Sequence, residues 1–413
     1  MPHRILSALD ARRDTVIEVQ RELTRRPALG PESGGEGERA KADWLFAHLR
    51  DMGVTDIETI DAPDPRVPCG HRPNIIARVP GKSPRTVWVL AHMDVVPPGD
   101  PALWDGDPWT MRVDGDVLFG RGVEDNQQAI VSGLLVAREL LEQGITPDLS
   151  LGLAFVADEE TGNTHGMAHV AAVRPDLFRQ DDLIVVPDFG DSEGAMIEVA
   201  EKSMLWLRIA VTGKQCHAST PDEGVNSLAA AAALILRIRR LNERFPDADP
   251  LFNPATSTFV PTKKEANVPN VNTVPGSDVF YVDCRVLPRY DLDDVVAAVR
   301  GLADEVEREY GASIAISHVL REQAAPPTSP DAEVVTRLRA AISGVYGVTA
   351  RPAGIGGGTV AAIVRRMGLS AAVWSKLVPN AHVPNEATRI SCNIGDAKVI
   401  ATMLFKDGKQ PGA

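Results

Sequence analysis

At 413 residues the chain exceeds the length at which one hydrophobic core keeps growing, so size alone points to two domains. Its 44% hydrophobic and 24% charged residues exclude a disordered or low-complexity protein. With 43 Lys and Arg against 56 Asp and Glu, the net charge of −13 argues against a nucleic-acid or anionic-membrane surface.

The N-terminal MPHRILSALDARRDTVIEVQ carries charges every few residues, lacks the apolar centre of a signal peptide and reads as an amphipathic surface helix. No stretch reaches the ~18 consecutive apolar residues of a membrane span. Cys69, Cys216, Cys284 and Cys392 lie far apart and form no Cys-x-x-Cys pair. That usage suits a reducing cytoplasm and provides neither a disulfide framework nor a thiolate zinc site.

Apolar runs and helical stretches then alternate. Asn74–Val79, Thr86–Ala91, Leu149–Ala157 and Leu183–Pro187 are short, apolar and bounded by turn residues, and a helix over Ala129–Gln143 closes at Gly144. This texture predicts an α/β fold with a buried, mostly parallel sheet. After about residue 200 the pattern changes, with Leu205, Leu207, Ile209 and Val211 alternating strictly. A helix (Asn226–Arg244), strands near Ser257–Val260 and Val279–Leu287, a helix (Leu292–Tyr310) and a strand (Ser313–Leu320) follow. The order βαββαβ is the ferredoxin-like arrangement. A helix over Ala332–Tyr346, a loop from Gly354 to Thr359, a strand at Ala371–Trp374 and a loop with His382 restore the α/β texture. The expected organisation is a discontinuous larger domain, 1–200 and 321–413, around an inserted domain, 201–320.

Ligands of open parallel sheets bind outside the carboxyl ends of the strands. Three strands run there into His92-Met-Asp94, Asp158-Glu159-Glu160 and Asp188; Asp125 stands just before a helix, and His382 in a loop. Any one of these could be a solvated turn residue. Two imidazoles and several carboxylates converging from five loops form a metal-ligand set instead. Without Cys the set suits Zn2+, with Co2+ or Mn2+ as alternatives, and points to catalysis rather than a closed structural site. The candidates exceed what one catalytic zinc needs; two ions ~3.5–4 Å apart, bridged by a carboxylate, would use them all.

Further strings complete the pattern: Gly120-Arg-Gly-Val-Glu-Asp125-Asn126, Asp158-Glu-Glu160-Thr-Gly162, Gly213-Lys-Gln-Cys-His217-Ala-Ser, Asn272-Thr-Val-Pro275, Asp283-Cys-Arg285 and Ala381-His382-Val-Pro-Asn-Glu386. With His92-Met-Asp94 and Asp188 they span residues 90–390. On these motifs the chain resembles the co-catalytic metallopeptidase family that includes glutamate carboxypeptidase, bacterial dipeptidases, aminoacylase, acetylornithine deacetylase and succinyl-diaminopimelate desuccinylase. The resemblance implies a zinc-peptidase-like catalytic domain and an inserted lid and dimerisation domain, hence a homodimer. It implies one ion on His92 and Asp188, a second on Glu160 and His382, and Asp125 bridging them. Asp94 would orient His92, and Glu159 would be the general base of amide hydrolysis. His217 would assist the oxyanion, from its own chain or from the partner subunit.

Arg285 and Asn272 would hold a substrate carboxylate, Arg through its planar fork; the alternative for Arg285 is a surface ion pair. Gly356, Gly357 and Gly358 either let backbone N–H groups approach the same ligand or form a tight turn. Relatives often have Lys or Met after the bridging Asp, whereas this chain reads Asp125-Asn-Gln-Gln128. Deacetylase and desuccinylase members usually carry Glu at the position of Asp188, which tilts the reading toward a small peptide. An N-acyl amino acid substrate is the alternative, and a non-catalytic relative a remote one, since no ligand and no base is missing. Gly35-Glu-Gly-Glu-Arg-Ala40 satisfies a dinucleotide pattern but follows no strand.

Overall fold

Every residue of Leu149–Val156 is buried, a pattern that only a strand covered on both faces sustains. It belongs to a computed structural model that describes residues 2–405. Unit 1 takes the chain up to Val199, then Pro327–Ala353, then Thr359 onward; unit 2 takes Ala200–Pro326 and Gly354–Gly358. The 354–358 loop, expected in the larger domain, thus groups with unit 2. Residues 1 and 406–413, inside the boundaries expected for the larger domain, lie outside the described residues.

Unit 1 begins with α1 (Pro2–Leu9) and α2 (Arg13–Thr24), two helices where one surface helix was expected. Ile5, Leu9, Val16, Val19 and Leu23 are buried, and Arg12 at the break is anchored by Glu139 and Glu142. Next come α3 (Arg39–Asp51), β1 (Asp56–Pro63), β2 (His71–Val79), β3 (Ser83–His92), the short β4 (Arg112–Asp114) and β5 (Val117–Phe119), and α4 (Gln127–Glu142). Then follow β6 (Leu149–Val156), α5 (Met167–Val173), β7 (Leu183–Asp191) and β8 (Met196–Glu201). Unit 2 contains β9 (Ser203–Thr212), β10 (Cys216–His217), α6 (Ser227–Ile238), α7 (Leu241–Arg244), β11 (Thr258–Lys264), β12 (Thr273–Val274), β13 (Ser277–Val286), α8 (Leu292–Tyr310) and β14 (Ser313–Glu322). The remaining elements are α9 (Glu333–Tyr346), β15 (Arg351–Ile355), α10 (Ala361–Arg366), β16 (Ala371–Lys376), β17 (Ala387–Arg389) and α11 (Ile390–Met403).

The large sheet has eight strands in the order β1-β2-β6-β3-β7-β16-β8-β15. Its centre, β6-β3-β7-β16, is parallel, while β1 and β2 pair antiparallel at one edge, so the sheet is mixed with a parallel core. Trp88, Leu90, Val156 and Val186 pack with Met167 and Val170 of α5 and Ala361 and Val364 of α10 on one face. Helix α4 covers the other face, where a Cβ on Gly133 would lie 2.8 Å from Leu153. Burial on both sides explains the continuous apolar runs. Gly190 lets β7 continue beside β16, because a Cβ there would sit 1.9 Å from the Ser375 carbonyl oxygen.

Unit 2 holds a four-stranded antiparallel sheet in the order β11-β13-β9-β14. Leu205, Leu207, Ile209 and Val211 bury one face of β9 against Ala230 and Leu234 of α6 and Val295, Val299 and Leu302 of α8. The helix expected over Asn226–Arg244 breaks after Ile238, at a point no Gly or Pro marks. His318 is exposed on β14, opposite Leu207, and the register shifts between it and Leu320. Among the described residues no helix is long and apolar enough to cross a membrane. The stretch Gly35-x-Gly37 is a tight loop, in which a Cβ on Gly35 would lie 2.1 Å from the Leu29 carbonyl oxygen.

Candidate metal centre

Four adjacent parallel strands end at one edge of the large sheet. His92 closes β3, Asp188 lies near the end of β7, Glu159 and Glu160 follow β6, and the chain after β16 reaches His382. Asp125 comes from the loop before α4. His92 Nε2 lies 2.9 Å from Asp125 Oδ1 and 3.3 Å from Asp188 Oδ1. His382 Nε2 lies 3.0 Å from Asp125 Oδ2 and 3.1 Å from Glu160 Oε1. Two triads result, His92-Asp125-Asp188 and Asp125-Glu160-His382, with the atoms of each within 4.8 Å of one another. Asp125 belongs to both, presenting a different oxygen to each imidazole.

The hydrogen bonds of His92 test whether these residues fit a cation. Its Nδ1 lies 3.0 Å from the Asp94 carbonyl oxygen, which can only accept, so Nδ1 carries the proton. Nε2 then turns toward two carboxylate oxygens, an arrangement relieved only by a further proton or a metal ion. Burial works against protonation of His92, but Asp125, Asp188 and Asp94 outweigh it and hold its pKa well above the ordinary value. Hydrogen bonds to Asp125 and Glu160 push His382 up to about 10. Burial, reinforced by Asp188, pushes Glu159 well up, and burial pushes Glu160 up to about 7. Excess negative charge packed around two imidazoles fits divalent ions.

Asp94 touches His92 and the Glu159-Glu160 turn together. Its carboxylate is 3.5 Å from His92 Nδ1, while Oδ1 and Oδ2 accept the N–H groups of Glu159 and Glu160, both at 3.0 Å. The turn itself depends on Asp158, which has φ of 62° and accepts from the His165 N–H at 2.9 Å. Behind it Arg72, fully buried, pairs with Glu38 at 2.6 Å and faces Asp158 at 3.5 Å. Asn126 donates through Nδ2 to Asp188 Oδ1 at 2.8 Å and to the Pro187 carbonyl at 2.9 Å, fixing the Asp188 carboxylate. Sequence reasoning assigned no role to Arg72, Glu38, Asp158 or Asn126. Asn126 had a signal, its adjacency to Asp125; Arg72 and Glu38 had none, being ordinary charged residues 34 positions apart.

In unit 2, Arg285 of β13 lies beside the glycine loop. Its Nε and Nη2 bind Asp283 at 2.8 and 3.1 Å, and Nη1 donates to the Gly356 carbonyl at 2.6 Å. The surface ion pair considered for Arg285 therefore exists, and the same guanidinium holds the loop. A Cβ on Gly356 or Gly357 would meet nothing within 4 Å, so neither is required by crowding. A Cβ on Gly358 would meet the Met204 methyl at 3.3 Å. His217 and Asn272 are exposed; the Asn272 carbonyl accepts the Ala218 N–H at 2.9 Å. The Ser219 N–H donates to His217 Nδ1 at 3.1 Å, which leaves the neutral ring's proton on Nε2.

The model of peptidase family M20/M25/M40 matches residues 88–406. A Methanococcus maripaludis protein described as an uncharacterized metallohydrolase is 36% identical over 414 residues, covering 95% of this chain and 99% of its own length. A succinyl-diaminopimelate desuccinylase of Methylocella silvestris is 26% identical, covering 77% of this chain and 79% of its own. Among solved structures, human carnosine dipeptidase 1 superposes with a TM-score of 0.73 at 16% identity, over 98% of both chains, a likeness of fold.

Proposed function

Because the chain belongs to peptidase family M20/M25/M40 and is a metallohydrolase, we propose that it hydrolyses an amide bond, peptide or N-acyl, in a small carboxylate-bearing substrate. The two ligand triads that share Asp125 carry this reading. His92 and Asp188 would hold one divalent ion and Glu160 and His382 the other, with Asp125 between them. Zn2+ fits the donor set, with Co2+ or Mn2+ as replacements. Bound there, such ions supply Lewis acidity and bring the pKa of water toward neutrality.

Glu160 is committed to a ligand triad, whereas its neighbour Glu159 is not. Glu159 accepts a proton from the attacking water, whose oxygen bonds to the amide carbon; the C–N bond breaks, and Glu159 returns the proton to the leaving nitrogen. Asp94 keeps the Glu159-Glu160 turn and the His92 ring in position. His217, with its proton on Nε2, is a donor for the developing oxyanion. Arg285 retains N–H groups beyond those bound by Asp283 and Gly356, and with Asn272 these recognise the substrate carboxylate. Unit 2 is read as a ferredoxin-like lid and dimerisation domain, through which two chains form a homodimer.

Glu159→Gln should abolish turnover and leave metal content nearly intact, whereas Glu160→Gln should lose part of the metal; elemental analysis with turnover assays decides, and the inverse pattern would exchange the two roles. A second reading, N-acyl amino acid deacylation, is supported by the desuccinylases among the relatives, while Asp188 supports a peptide. Assays on dipeptides, N-acyl amino acids and succinyl-diaminopimelate separate the two.

A further inference from the structure

Two carboxylates outside the ligand triads are each buried in the other's loop. Glu386 comes from the loop that carries His382. Its Oε2 accepts from Arg121 Nη1 at 2.7 Å and the Gly122 N–H at 2.9 Å, and its Oε1 from the N–H groups of Glu124 at 2.9 Å and Asp125 at 3.0 Å. It therefore grips the loop that carries Asp125. The exchange is reciprocal. Glu124, in the Asp125 loop and 3% exposed, accepts the N–H groups of Val378 and of Asn380, the latter at 3.0 Å.

The bases of both loops are already joined, since β5 pairs with β17 at Phe119 and Ala387 and the Gly120 N–H donates to the Glu386 carbonyl at 3.0 Å. Attachment alone thus does not call for two more buried carboxylates, each of which carries a desolvation penalty. A carboxylate does offer acceptors on both oxygens, so each can hold two or more backbone N–H groups in fixed directions. What lies beyond the joined bases is the pair Asp125 and His382, 3.0 Å apart.

We propose that Glu124 and Glu386 form a cross-brace that sets the span between Asp125 and His382, and with it the affinity of the ion held by Glu160 and His382. Both are positioning residues, and neither belongs to a ligand triad. The inference rests on the dinuclear reading above. The brace acts on one ion more than on the other. His92 and Asp188 are fixed by the β3–β7 pairing, Asp94 and Asn126, and none of these bonds involves residues 378–386. Glu124 holds only the His382 loop, so Glu124→Gln loosens that side selectively: its amide group meets an N–H donor where an oxygen had accepted one.

The test is titration of the metal-free full chain with Zn2+ against a chromophoric chelator. Wild type should take two ions. Glu124→Gln should keep the tighter ion and bind the second about 10–100-fold more weakly, with activity returning as Zn2+ is raised and KM unchanged. If the Gln variant does not fold, Glu124→Asp, which keeps the charge but shortens the reach, should show the same selective loss. Equal weakening of both ions, or no weakening, in a wild type that binds two overturns the brace alone. A wild type that binds fewer than two overturns the dinuclear reading and the brace with it.

Discussion

In unit 1 the buried side chains of Asp94, Arg72 and Glu386 are held by partners distant in sequence; in unit 2 the exposed side chains of His217 and Asn272 bond within two residues of themselves, to Ser219 and Asn270. The difference follows from what the proposed function asks of each set. Metal ligands have to be fixed before the ion arrives, because an ion cannot bind donors that drift apart, and buried bonds from several elements provide that order. A residue that meets only substrate can stay solvated until substrate arrives. Substitutions of these buried supports in unit 1 should therefore cost stability or metal, and substitutions of the exposed residues in unit 2 should cost rate.

Replacing Arg72 should break this contrast most severely. Arg72→Leu removes the cation between Glu38 and Asp158 and leaves buried carboxylates without it, so unfolding of the metal-free protein in urea should become easier by about 3–5 kcal/mol. His217→Ala serves as the matched case in unit 2 and should move stability by no more than about 0.5 kcal/mol. A loss for Arg72→Leu as small as that for His217→Ala would erase the distinction.

His217→Ala should act on rate instead, lowering kcat by about 10²–10³ with metal content unchanged. If the imidazole serves the partner subunit, mixing His217→Ala with Glu159→Gln chains should restore part of the activity, because one site of each mixed dimer then has both groups. Assays of reconstituted mixtures check this; no regained activity, or a fully active monomer, would count against the shared site.

The large sheet was readable because burial on both faces forces apolar runs, and its strand ends pointed to His92, Asp188 and Glu160, which the structure brings into the two triads. Its antiparallel edge was not: β1 buries only Ile60 and Ala62, too few to stand out in DIETIDAP. The break between α1 and α2 went unseen, since Asp10-Ala11-Arg12 contains no Gly or Pro and Arg12 finds its partners more than 120 residues away. The supports of the site were hidden for a related reason. Glu124 and Glu386 both lie inside recognisable motifs, yet spacing cannot tell a carboxylate that faces an ion from one that faces backbone N–H groups. Only the meeting of the two loops separates them.

The central claim is that Asp125 joins two metal positions, and metal stoichiometry tests it directly. Elemental analysis of wild type and Asp125→Ala, each loaded under saturating Zn2+ and freed of loose metal, should give about two ions per chain for wild type and one or fewer for the variant. A firm limit of one ion in wild type, unchanged by Asp125→Ala, would contradict the account.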